Sequence, residues 1–136
     1  MFNKNMPNLE KFAKPLLRIA ISLVFLYFGY QQISSPMEWA GFVPNFALSS
    51  GISAKNLVMM NSILELSLGI LLLLGLFTKF ASLILSLHLF GITLSLGFND
   101  LGIRDFGLSV ATFVVFLNGI DEYCLDKKWS AHVKSS

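Results

Sequence analysis

Four apolar stretches dominate the chain: Pro15 to Tyr30, Leu57 to Phe77, Phe80 to Phe98 and Phe106 to Ile120. Polar residues collect between them and just beyond them. A run such as "GILLLLGLF" lacks the strict alternation of a membrane β-strand, and it also lacks the polar stripe of a helix resting on a soluble core. About 20 residues at 1.5 Å rise cross a hydrocarbon layer of roughly 30 Å, where only a helix satisfies all its backbone groups within one segment. The pattern predicts four membrane helices, at about residues 15–33, 57–77, 80–98 and 104–123. The first and last reach spanning length by taking in the Gln31–Gln32 end and the end near Tyr123.

The connections arrange these helices. "FTKF" is so short that the second and third helices must be antiparallel neighbours, and a compact up-down bundle is the simplest closure. In the third helix Ser82 and Ser86, then Gly91 and Ser95, stand four apart and would let a neighbouring helix come close. The longest connection, residues 34–56, contains "PMEWAGFVPNF". Its Trp39, Phe42 and Phe46 are spaced to share one face of a short interfacial helix broken at Pro44, either anchored at the headgroups or capping the mouth of the bundle. The tail, residues 124–136, is short and charged, and reads as a helix end that frays. Lys4, Lys11 and Lys14 ahead of the first apolar run imitate a secretory signal. No small-residue cleavage site follows Tyr30, so that run is expected to stay as a helix with Pro15 in its first turn.

Charge orients the bundle. Lys4, Lys11, Lys14, Arg18, Lys79, Lys127, Lys128 and Lys134 fall on one side, against only Lys55 and Arg104 on the other. The positive-inside rule then places both termini in the cytoplasm. The composition agrees with burial in lipid: 54% of the 136 residues are hydrophobic, 13% are charged, and the mean hydropathy is +0.68. Without a Pro- or Gly/Ser-rich linker, residues 1–136 read as a single membrane domain. The net charge of +2 forms no basic stripe, so the lipid bilayer is the expected partner and nucleic acid is not.

Against this background the few polar residues inside the spans stand out. Glu65 lies eight residues past Leu57, about 12 Å below the outer boundary, with Asn61 one turn above it on the same face. His88 lies about 12 Å above the inner boundary, leaving it roughly 6 Å from Glu65 along the membrane normal. Arg104 and Asp105 open the fourth helix on the outer side, and Gln31 and Gln32 close the first at that level. An ionised carboxylate in lipid costs about 2.5–3.5 kcal/mol, so Glu65 is expected to face inward, with Arg104 as a partner clamping helix two to helix four. These seven residues form the candidate polar cluster, structural or ligand-binding. Arg18, one turn inside the cytoplasmic end, is expected to snorkel to a lipid phosphate.

"LLRIAISLVFLYFGYQQISSPMEWAGFVP", "ELSLGILLLLGLFTKFASLIL" and "IRDFGLS" together resemble the DoxX family, over roughly Pro15 to Gly119. The elements most specific to it are Arg18, Gly29, the Glu65-x-x-x-Gly69 step and the Arg104-Asp105 pair. The resemblance implies small four-helix membrane proteins of bacteria and archaea, with relatives that include a small subunit of thiosulfate:quinone oxidoreductase. It also implies residence in a prokaryotic cytoplasmic membrane.

Several chemistries lose support. Cys124 is the one cysteine, which removes an intramolecular dithiol and leaves a small buried hydrophobe as the expected role. His88 and His132 differ too much in depth to share a haem or zinc, and no phosphate-binding glycine loop follows a strand. No catalytic residue, metal site or intrinsic cofactor is therefore expected. The leading expectation is a membrane subunit or accessory of a redox assembly, with an outward-opening polar pocket for a quinone and a soluble or membrane oxidoreductase as partner. The alternatives are a non-enzymatic scaffold or assembly factor, and a proton-coupled carrier using Glu65. Four helices give a carrier little room for a path, so that reading requires a homo-oligomer.

Overall fold

The computed structural model describes residues 9–128, and within them every regular element is helical. Four long helices, α1 (Ala13–Ser34), α4 (Ala54–Leu74), α5 (Thr78–Leu96) and α6 (Asp100–Asn118), carry the architecture. Between α1 and α4 come the single turns α2 (Pro36–Trp39) and α3 (Asn45–Leu48), with a tighter turn at Ala40–Phe42. The helix formed by α1 with its leading turn from Leu9, together with α4 and α5, is long and apolar enough to cross a membrane. In α6, Asp100, Arg104 and Asp105 crowd the first two turns.

Local chemistry sets the helix boundaries. Ser53 caps α4 by accepting the Asn56 N–H at 3.3 Å, and Gly75 ends it with φ +73° while Leu76 N–H reaches back to the Leu71 carbonyl at 2.8 Å. Asn99 starts α6 by accepting the Gly102 N–H at 2.8 Å, and Gly119 stops it at φ +71°. The fourth helix therefore begins and ends earlier than the 104–123 span that hydropathy suggests. The cap and the stop outweigh the apolar run.

The helices form two intimate pairs, α1 with α4 and α5 with α6, joined by lighter α4–α5 and α1–α6 contacts. Small residues let α1 and α4 close up: a Cβ on Gly29 would lie 2.8 Å from Leu66, and one on Gly69 would lie 3.2 Å from Leu26. Ser62 tightens the same seam by donating to the Gly29 carbonyl at 2.6 Å. Of the expected α5 pairs, Ser82 and Ser86 are buried, but Gly91 and Ser95 are exposed and a Cβ on Gly91 would meet nothing. That second pair is not a packing seam.

Leu68, Leu72, Ala81, Leu85 and Val115 fill the centre with Ile21 and Phe25. Around them the usual polarity is inverted: Ser22, Ser62, Ser82, Thr78 and Thr112 are fully buried, whereas Leu16, Leu23, Leu87, Leu94 and Leu117 are more than half exposed. Ser22, Ser82 and Thr112 satisfy their hydroxyls on carbonyls one turn back in their own helices. An apolar exterior of this extent belongs in lipid, and the chain is an integral membrane protein.

The segment after α6 does not fray within the described residues. Asp126 accepts from Phe77 N–H, Thr78 N–H and Thr78 Oγ1 at 2.8–2.9 Å, capping α5, and its own N–H donates to the Gly75 carbonyl at 2.9 Å. Cys124 is fully buried beneath Gly75, where a Cβ would lie 2.6 Å from the Cys124 Cα. Residues 129–136 of the expected tail lie outside the described residues.

Candidate ligand site

Polar side chains gather at both ends of the α1–α4 pair. At one end Arg18, 2% exposed, donates from Nε to Asp121 Oδ2 at 2.7 Å and from Nη1 to the Leu72 and Leu73 carbonyls at 2.9 and 2.7 Å. Both carbonyls lie in the last turn of α4, where only that of Leu72 also receives a backbone N–H, from Gly75 at 3.2 Å, so the guanidinium stitches α1, the α4 terminus and the post-α6 segment together. Where the sequence suggests snorkelling to a lipid phosphate, Arg18 is turned inward, and an internal carboxylate and two helix-end carbonyls take its donors. Burial acts to raise the Asp121 pKa, but the Arg18 hydrogen bond, the Tyr123 N–H and the Arg18 charge outweigh it and hold the carboxyl below its usual range.

At the other end the antiparallel register of α1 and α4 brings Gln32, Asn61 and Glu65 together. Asn61 donates from Nδ2 to Gln32 Oε1 at 2.6 Å and to Glu65 Oε1 at 3.1 Å, while Gln32 Nε2 donates to Glu65 Oε2 at 3.3 Å. His88 of α5 joins through a hydrogen bond from Nε2 to Asn61 Oδ1. Since Asn61 Oδ1 only accepts, His88 carries its hydrogen on Nε2. Glu65 is 4% exposed and faces inward.

The anticipated Glu65–Arg104 clamp is absent. Arg104 bonds its neighbour Asp105 instead, Nη2 to Oδ1 at 2.9 Å, and lies with Cζ 4.6 Å from the centre of the Phe28 ring. An adjacent acid and an aromatic face hold the guanidinium at the rim, so amides rather than a cation serve Glu65. Gln31 is half-buried and takes no part in the network. Four of the expected residues thus form the connected cluster (Gln32, Asn61, Glu65, His88), and Arg104 with Asp105 stands beside it.

These six residues border a cavity of about 720 Å³ with mostly apolar walls. Its roof comes from the long connection: Trp39 meets Phe28 edge-on at 6.0 Å and Phe42 at 5.9 Å, and Phe46 lines the same space. The extended backbone at Val43 and Pro44 divides that segment at the break the sequence suggests, and its rings cover the cavity from two short pieces. Among the described residues no three His, Cys, Asp or Glu side chains converge as a metal site would require. Sequence reasoning missed Asp121, Asp126 and Phe28. Asp121 was findable, since a buried arginine needs a carboxylate at its own depth.

The model of the family described as DoxX matches residues 13–97, more than half of the chain, and the protein belongs to that family. Neither a curated protein nor a solved structure matches.

Proposed function

We propose that this DoxX-family protein is a membrane subunit or accessory of a redox assembly and that its cavity receives a quinone. In this reading α6 is a fourth span beside the three apolar helices, and both termini lie on the cytoplasmic side of a prokaryotic cytoplasmic membrane. The cavity then opens toward the outer half of the bilayer. The observation that carries the proposal is the cavity's make-up: aromatic and aliphatic walls large enough for a substituted ring, polar groups confined to one end, and a guanidinium at the rim. Arg104 would orient a ring oxygen, and Trp39 and Phe28 would hold the ring. Electrons would have to pass to an oxidoreductase partner, for which the bundle surface is available.

Purification from native membrane followed by extraction tests the reading directly. Co-isolated quinone, or a co-purifying oxidoreductase, is the expected result; the absence of both overturns it in favour of a non-enzymatic scaffold. Loss of proton-linked uptake in vesicles carrying Glu65→Gln would instead favour a carrier. Topology is tested in a Cys124→Ala background. Lys55→Cys should react with a membrane-impermeant thiol reagent in intact cells and Lys128→Cys should not, and the reverse labelling would invert the orientation.

A further inference from the structure

We propose that the polar end of the cavity selects its ligand by an uncharged hydroxyl that the ligand donates, so that a hydroquinone is held in preference to the quinone. This rests on the reading that the cavity takes a quinoid ligand, and it assigns the redox form.

The argument is an inventory of hydrogens. Both N–H groups of Asn61 are committed, one to Gln32 and one to Glu65, and the Nε2 hydrogen of His88 is committed to Asn61. Gln32 spends one N–H on Glu65 and keeps one. Acceptors are in excess. Each Glu65 oxygen receives one amide N–H, and in the ionised form about half of the carboxylate's roughly four lone-pair positions remain unused. In the neutral imidazole His88 Nδ1 is then an acceptor, and among the described residues it makes no hydrogen bond. Yet no buried side-chain nitrogen or oxygen among the described residues is left without a partner, so Nδ1 faces open space, and His88 lines the cavity. A ligand whose buried end only accepts meets one spare donor beside bare lone pairs. A ligand that donates satisfies Glu65 or His88 at once.

Charge narrows the class. An ammonium also donates, but it would have to shed its water against apolar walls. A hydroxyl is spared that desolvation. At the far side of a hydroquinone ring, the second oxygen can accept from Arg104.

The test is calorimetric titration of the full-length protein in detergent with four probes sharing one alkyl tail: the hydroquinone under anaerobic reducing conditions, the quinone, an analogue with methyl groups in place of both hydroxyls, and the primary amine. The hydroquinone is expected to bind roughly tenfold more tightly than the quinone or the methyl analogue, the scale of one net hydrogen bond. Glu65→Gln should erase most of that preference and leave the methyl analogue's affinity unchanged. His88→Leu, which removes the second acceptor, serves the same purpose should Glu65→Gln fail to elute as a folded species. Equal binding of hydroquinone, quinone and methyl analogue overturns the selection while leaving the quinoid reading intact. Tightest binding by the amine overturns the uncharged donor, and no binding by any probe overturns both proposals.

Discussion

The two polar clusters of the α1–α4 pair contain one buried acid each, yet they are built to opposite ends. Asp121 meets a guanidinium whose Nη1 donors are consumed by the Leu72 and Leu73 carbonyls. Glu65 meets only amides, and beside it lies about 720 Å³ of open space. A fully matched ion pair fastens chain segments and leaves nothing for a ligand. A partly matched acid against a cavity keeps its capacity to bind. Burial of a charged residue in a membrane protein therefore marks a site only when some of its hydrogen-bonding capacity remains unspent.

The contrast breaks most visibly at Arg18. Arg18→Met leaves Asp121 buried without its cation and should cost about 3–5 kcal/mol, read as a lowered unfolding midpoint in detergent. Adding Asp121→Leu should return a large part of that loss, because the pair itself contributes less than its rupture costs. Gly75→Ala strikes the same end from below. It forces an L-residue into the left-handed region and drives a Cβ into Cys124, with an expected cost of about 2 kcal/mol.

Acid should act on this end in a defined direction. The Asp121 pKa is depressed in the folded protein, so its stabilising contribution is present above the unfolded value of about 4. That contribution is lost as pH falls through the lower folded value. The unfolding midpoint should therefore drop on acidification below about pH 4, and this component should vanish in the Arg18→Met, Asp121→Leu double variant. The smallest effect on stability is expected from Glu65→Gln, under about 1 kcal/mol, because the isosteric amide can still accept from one neighbour and faces open space. A cost as large as that of Arg18→Met would show that Glu65 is a structural fastener, and the distinction between the two ends would fall.

How much of this was legible beforehand follows from range. Asn61 and Glu65 share a face because they are four apart on one helix, and periodicity alone reveals that. Gln32 and His88 belong with them because depth in a membrane is a one-dimensional coordinate that residue counting estimates well. Rotation about the helix axis is not countable in this way when helices are apolar all round. Arg104 was given the right depth and the wrong partner, and Gly91 was given a seam that it does not face. Asp121 and Asp126 are hidden for a different reason: hydropathy puts the first at the end of the fourth span and the second in a charged tail, although their carboxylates hold Arg18 and cap α5.

By itself the sequence determined that this chain is helical and dissolved in lipid, roughly where its long helices run, and which few polar groups must turn inward. Hydrocarbon imposes those results on any segment of that composition, whatever its neighbours are. Tertiary structure alone decided which acid met a cation and which met amides, that three aromatic rings of the long connection roof a cavity, and that the segment beyond α6 closes the opposite end. Those outcomes depend on how apolar helices rotate and dock against one another, and small residues and side-chain shape set that docking with no polar stripe to announce it.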